Sequence, residues 1–170
     1  VIDAKRIAVE TIEAQLAARV VDGRQSEYAR LVQRGVGRLM VGLGFCVVYE
    51  LPLASGRRAD LAALSPGGDL WIVEIKSSVE DLKTDRKWPD YRAHCDRLFF
   101  ATHTAVPLEI FPDDAGLMLA DGFGAAIVRE APEHRLAPAT RKATTLRFAH
   151  AAASRFHALM DPGVKDPGAF

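Results

Sequence analysis

Apolar residues recur at helical spacing near the start of the chain. Ile7, Ile12, Leu16 and Val20 predict a helix over 3–21, broken at Asp22-Gly23. Ser26 has the chemistry of an N-cap for a second helix, with Glu27 in its first turn and Leu31, Val32, Val36, Leu39 and Met40 following; Gly42 and Gly44 end it. Gly35 and Gly37 inside that helix either weaken it or permit close packing. From Phe45 the pattern turns β-rich. Short strands are predicted over 45–51, 57–64 and 70–76, separated by Ala54-Ser55-Gly56 and by Ser65-Pro66-Gly67-Gly68-Asp69, which is the spacing of an antiparallel meander. Residues 79–95 read mostly as helix, interrupted near Trp88-Pro89. The run 97–102 is nearly all apolar and predicts a central strand. Residues 116–120 and 125–128 predict a hairpin turning at Asp121-Gly122, and 139–159 a last helix with Leu146, Phe148, Ala149, Ala152, Phe156 and Leu159 available for burial. Helix, helix, three strands, helix, strand, strand pair and helix together describe an α/β domain with a mixed sheet between helices. The expected organisation is an N-terminal helix in 1–25, one domain over 26–160 and a frayed tail over 161–170.

Composition narrows this only a little. A chain of 170 residues, 49% hydrophobic and 26% charged, is sized for one soluble globular domain. No apolar run is long enough to span a membrane, and the first residues lack the pattern of a signal peptide, so a cytoplasmic location is expected. Cys46 and Cys95 are far apart, and two buried thiols are the expectation rather than a zinc site or redox pair. The five histidines have no ligand spacing. Net charge is zero, yet residues 129–160 carry Arg129, Arg135, Arg141, Lys142, Arg147 and Arg155 against only Glu130 and Glu133. Such a segment suits either phosphate contact or a solvated helix face.

Asp60, Glu74 and Lys76 stand out from the other charges. Glu74 and Lys76 are two apart on a strand whose neighbours Ile72, Val73 and Ile75 are apolar, so both point to one face of a buried strand. Charges there are costly unless paired or bound. Asp60 lies on the preceding strand and projects near Glu74. Two carboxylates and a lysine suit a hard divalent cation bound to oxygen, a metal-activated water and a phosphate. Spacing alone favours a salt bridge of Lys76 with Glu74 or Asp60, and it is the order of helix and strands around the three that shifts the balance.

The order of elements around these residues resembles the PD-(D/E)XK nuclease superfamily, a restriction-endonuclease-like fold with an αβββαβ core. More closely, Gly56-Arg57-Arg58-Ala59-Asp60-Leu61, Val73-Glu74-Ile75-Lys76-Ser77-Ser78, Asp85-Arg86-Lys87-Trp88-Pro89-Asp90-Tyr91 and Arg129-Glu130-Ala131-Pro132-Glu133-His134-Arg135-Leu136 resemble the bacterial MmcB-type DNA repair family over roughly residues 30–160. The resemblance implies a nuclease-like protein of DNA damage repair. Carried over, Asp60 and Glu74 would bind Mg²⁺, with Mn²⁺ as a substitute, and Lys76 would assist the water. Ala59 stands where the superfamily often has proline. A further acid is expected from Glu27 by family logic or from Glu50 by proximity in the sheet. Arg57 and Arg58 are candidates to hold a phosphate, or to pair with Glu50. Lys87 and Tyr91, four apart, are candidates for one DNA-facing side of the following helix, and Ser77 and Ser78 for its cap.

Three readings follow. The first is a Mg²⁺-dependent DNA endonuclease of repair. The second is a weakly active or inactive nuclease fold that docks on damaged DNA or on a repair protein. The third is a structural domain whose Glu-Lys pair is a buried salt bridge. DNA is the expected partner; relatives of the fold often act as dimers, and a homodimer is left open.

Overall fold

In a computed structural model that describes residues 27–161, six strands form one sheet in the order β1-β2-β3-β4-β5-β6. They are β1 (Cys46–Pro52), β2 (Arg58–Leu64), β3 (Leu70–Ile75), β4 (Arg97–Thr102), β5 (Gly116–Ala120) and β6 (Ala125–Arg129). The first three form an antiparallel meander, β3, β4 and β5 run parallel, and β5 and β6 form a hairpin. Helix α1 (Glu27–Gly42) crosses one face; α2 (Val79–Thr84), a 3₁₀ segment (Trp88–His94) and α3 (Pro138–Met160) are the remaining longer helical elements. This is the mixed sheet flanked by helices that the element order predicts. The predicted helix over 3–21, the Ser26 cap and the tail beyond 161 lie outside the described residues.

The pleat sorts the core. Val73, Ile75, Phe99 and Ala101 alternate onto the α1 face, where Val32, Val36 and Met40 meet them. Ile72 and Leu98 point the other way and pack with Tyr91, Cys95 and Phe148. Two glycines let α1 lie close: a Cβ on Gly35 would sit 2.2 Å from the Asp121 carbonyl oxygen, and one on Gly37 2.0 Å from the Tyr49 hydroxyl. Close packing is therefore the reason for both.

The helix predicted over 79–95 divides in two. Ser78 caps α2, its hydroxyl accepting from the Asp81 amide at 3.1 Å. The helix stops at Thr84, and Pro89, which donates no hydrogen bond and disfavours α geometry before it, opens the 3₁₀ segment. Helix α3 also departs from expectation. Phe148 is buried, but Leu146, Phe156 and Leu159 are 52%, 65% and 80% exposed, and Ala149 is exposed too. The helix reaches the sheet's β1 edge, where Arg155 donates to the carbonyls of Tyr49 and Glu50. Cys46 is exposed rather than buried; only Cys95 meets that expectation.

Asp96 anchors the far end of the sheet. It is 1% exposed and accepts from the amides of Leu70 and Leu136 and from both terminal nitrogens of Arg141, at 2.6–3.0 Å. Arg129, Arg135, Arg141 and Arg155 all hold carboxylates or backbone carbonyls of the chain itself. Most of the cationic charge in 129–160 is thus structural.

Candidate functional site

The site forms where β2 and β3 part. Their ladder runs from Leu64↔Leu70 to Leu61↔Val73, and the next rung would set Asp60 opposite Glu74. Side chains take over there. The Asp60 amide donates to Glu74 Oε1 at 3.2 Å, and the Ile75 amide donates to Asp60 Oδ2 at 2.8 Å. Each carboxylate thereby satisfies a strand amide that the splayed ladder leaves over. On the other flank, Glu50 interrupts the β1–β2 pairing with φ +50°, a conformation costly for a residue with a Cβ. Its effect is visible in the core. Val48 and Leu51, three apart, face the same side, as do Ala62 and Ala59 on the partner strand. The kink breaks the two-residue alternation at Asp60.

Glu74 is 3% exposed and Asp60 half-buried. Burial raises the affinity of both for protons. Asp60 is pushed up to about 6, against the pull of the Ile75 amide and of Lys76, with Glu50 and Asp81 adding repulsion. Glu74 is pushed up to about 8, by burial first and then by the Asp60 charge. Tyr91 lies beside them. It is buried, its hydroxyl donates to the Arg58 carbonyl at 3.2 Å, and burial followed by the charges of Glu74 and Asp60 raises its pKa. Gln33 of α1 reaches the Asp60 carbonyl at 3.5 Å.

Lys76 closes the constellation at the end of β3. It is 6% exposed, and its ion pair is with Asp85 Oδ2 at 2.7 Å, not with Glu74 or Asp60. Burial works against its charge, but the hydrogen bond to Asp85 and the charges of Asp81, Asp85 and Glu74 outweigh it, so Lys76 stays protonated. Its backbone is held from β4. The Lys76 amide donates to Ala101, Thr102 Oγ1 donates to the Lys76 carbonyl at 2.7 Å, and His103 Nε2 lies 3.0 Å from the Ser77 carbonyl. The geometry therefore corrects the expected Glu-Lys or Asp-Lys bridge: the lysine belongs to Asp85.

The other candidates fall in different places. Glu50 lies across the strand from Asp60 and contributes to its shift, while its carboxylate pairs with Arg58. Glu27 is exposed in the first turn of α1 and is not among the principal charges acting on either buried carboxylate. Arg57 pairs with Asp90 at 2.8 Å. Lys87 is exposed but Tyr91 is buried, so they do not form one outward side; residues four apart no longer superpose once the segment is 3₁₀. Asp85 enters the sequence reading only within the Asp85–Tyr91 stretch, not as the partner of Lys76. Its only signal is an acid nine residues after Lys76, which means nothing until α2 folds back.

A mixed six-stranded sheet flanked by helices defines the class, an α/β domain, and this architecture is consistent with a restriction-endonuclease-like fold. The family model for DNA repair protein MmcB-like matches residues 17–163, and the chain belongs to that family. The solved structure of SPO1766, a protein of unknown function from Silicibacter pomeroyi, is 41% identical, superposes with a TM-score of 0.80, and is covered over 98% of its length by 84% of this chain. No curated protein matches. A role in DNA repair follows from the family, and no described helix is long and apolar enough to cross a membrane.

Proposed function

We propose that this protein is a divalent-cation-dependent nuclease of DNA repair, built on the PD-(D/E)XK pattern. The observation that carries the proposal is the buried Asp60–Glu74 pair, whose members share a splayed strand junction and are both pushed toward holding protons. Lys76 is near enough to act on both carboxylates but makes its ion pair with Asp85, and neither Asp60 nor Glu74 has an ion pair among the described residues. Such a donor set fits Mg²⁺ or Mn²⁺, which bind through one or two carboxylates and keep several waters. Asp60 and Glu74 would be the protein's ligands, with water filling the other positions, because among the described residues no third His, Cys, Asp or Glu joins them in a group placed to hold a metal. Bound there, the cation would acidify a water and stabilise charge on a phosphate oxygen.

The chain's own groups have distinct tasks. Glu74 and Asp60 orient each other through the strand amides. Lys76, kept charged by Asp85, is a donor to a phosphate oxygen and not a base. Thr102 fixes its backbone. Hydrolysis would form a bond from water oxygen to phosphorus and break a phosphorus–oxygen ester bond, leaving a phosphate on one end and a hydroxyl on the other.

A second reading, a nuclease fold retained for docking on DNA or a repair protein, is favoured by the same Lys76–Asp85 pair, which holds the lysine at 2.7 Å from a competing carboxylate. Cleavage of a labelled DNA panel (single-stranded, duplex, flapped, abasic) with Mg²⁺ separates the two. Nuclease function predicts products with the wild type and none with Lys76→Ala. Binding without cleavage by the wild type would leave the docking module.

A further inference from the structure

We infer that the edge of the sheet next to the carboxylate pair is a stacking platform for unpaired nucleotides. The inference rests on the DNA reading above and specifies which form of DNA is held, and where. The parallel strands β3, β4 and β5 all end on this edge. Lys76 follows β3, His103 follows β4, and the β5–β6 turn carries Phe123. Tyr28, on the first turn of α1, stacks on His103 with ring centroids 4.6 Å apart and planes 15° from parallel. Tyr28 is nevertheless 55% exposed.

His103 is a fixed support. One ring nitrogen faces the Ser77 carbonyl at 3.0 Å, and the other accepts from the Ala105 amide at 3.3 Å. With Nδ1 accepting from Ala105, the contact to the Ser77 carbonyl is donated by Nε2. The stack is thereby tied to the residue directly after Lys76.

Phe123 is 82% exposed, the largest value among the exposed large hydrophobics described, and its turn is held by hydrogen bonds. Asp121 Oδ1 accepts from the amides of Phe123 and Gly124 at 2.7 and 2.9 Å, and Arg38 donates to the Phe123 carbonyl at 3.1 Å. A Cβ on Gly122 would meet Leu31 at 2.7 Å and one on Gly35 the Asp121 and Gly124 carbonyl oxygens, so the turn is seated along α1 between Leu31 and Arg38, one to three helical turns beyond Tyr28. A large apolar ring held in water on an ordered backbone gains nothing for folding. It suits a partner with a flat face.

Charge selects the partner. Arg30, Arg34 and Arg38 succeed each other at four-residue spacing on α1, all are exposed, and none has an ion pair among the described residues. The arginines singled out from sequence, Arg57 and Arg58, are by contrast engaged with Asp90 and Glu50. Exposed rings on α1 and on the turn seated along it, with three exposed arginines of the same helix that make no ion pair among the described residues, match a single strand, whose bases stack on aromatics and whose phosphates need cations.

The test uses the full chain, a fluorescein-labelled 12-mer single strand and the same sequence as a duplex. Anisotropy is read in EDTA across a salt series. Single-strand binding tighter than duplex binding is expected. Phe123→Ala and Tyr28→Ala should each weaken it roughly 5- to 150-fold, and Arg34→Ala should reduce the salt slope by about 0.7. As a second readout, Phe123→Trp should bind like the wild type and lose indole fluorescence on adding unlabelled single strand. Wild-type binding that is unchanged by Phe123→Ala and Tyr28→Ala, or that favours duplex, overturns the platform and leaves the DNA reading standing. Absence of DNA binding by the wild type overturns both.

Discussion

Glu74→Gln should make the metal-free protein more stable at pH 8 and no more stable at pH 5. Glu74 is 3% exposed and its carboxyl is raised from 4.5 to about 8 by burial and by Asp60. A carboxyl raised on folding binds protons more tightly in the native than in the unfolded state. The free energy of unfolding therefore falls as pH rises between those two values and is flat outside them. One proton contributes at most about 1.4 kcal/mol per pH unit. Across the window this amounts to a few kcal/mol, a large share of a domain's stability. Glutamine keeps the acceptor for the Asp60 amide but has no charge to desolvate, so its curve should lack most of that slope. Urea unfolding from pH 4.5 to 8.5 in EDTA, wild type beside variant, reads the effect, because groups that do not feel the Glu74 charge cancel in the difference, leaving Glu74 with the neighbours it acts on, Asp60, Lys76 and Tyr91. Two curves that stay parallel would refute the reasoning. So would a variant destabilised by about 3–5 kcal/mol at pH 8, the cost of breaking a buried ion pair.

Asp96→Ala strands the buried Arg141 face and two amides, and should cost about 3–5 kcal/mol in urea unfolding without altering DNA binding. Gly35→Ala drives a methyl to 2.2 Å from a backbone oxygen and should destabilise by about 1–3 kcal/mol, whereas Gly42→Ala, with open space around it, should be near neutral. Asp85→Asn removes the principal partner of Lys76. The lysine pKa should fall, measured by titrating the ¹³C resonance of the reductively methylated side chain; an unchanged pKa would show that the ion pair does not hold the charge.

The sheet was legible because its strands obey simple local rules. The β2–β3 connection announces itself by Pro66-Gly67-Gly68, and Leu98 to Thr102 are buried on both faces, so β4 reads as one apolar run. Asp60 and Glu74 were legible as a pair because antiparallel strands joined by a short turn set them opposite one another. Three features were not. The left-handed Glu50 carries no sequence signal, since its conformation is imposed by the strands around it. Lys76–Asp85 depends on how α2 returns to the sheet, a tertiary outcome. Tyr28 and Phe123 carry no pattern that singles them out in the sequence, and only the folded chain shows both rings in water. Helix α3 illustrates the reverse error: apolar spacing predicts a buried face, but burial of Leu146, Phe156 and Leu159 needs a neighbour that the described residues do not supply.

Everything proposed about cleavage depends on Asp60 and Glu74 taking a divalent cation. Titration of Mn²⁺ into the full-length protein, with the free ion followed by electron paramagnetic resonance at pH 7.5, measures this directly. One Mn²⁺ should bind to the wild type and be displaced by Mg²⁺, and Glu74→Gln and Asp60→Asn should each abolish the site while Lys76→Ala preserves it. Undiminished Mn²⁺ binding by both carboxylate variants, or none by the wild type, would contradict the assignment of these residues as a metal-dependent nuclease centre.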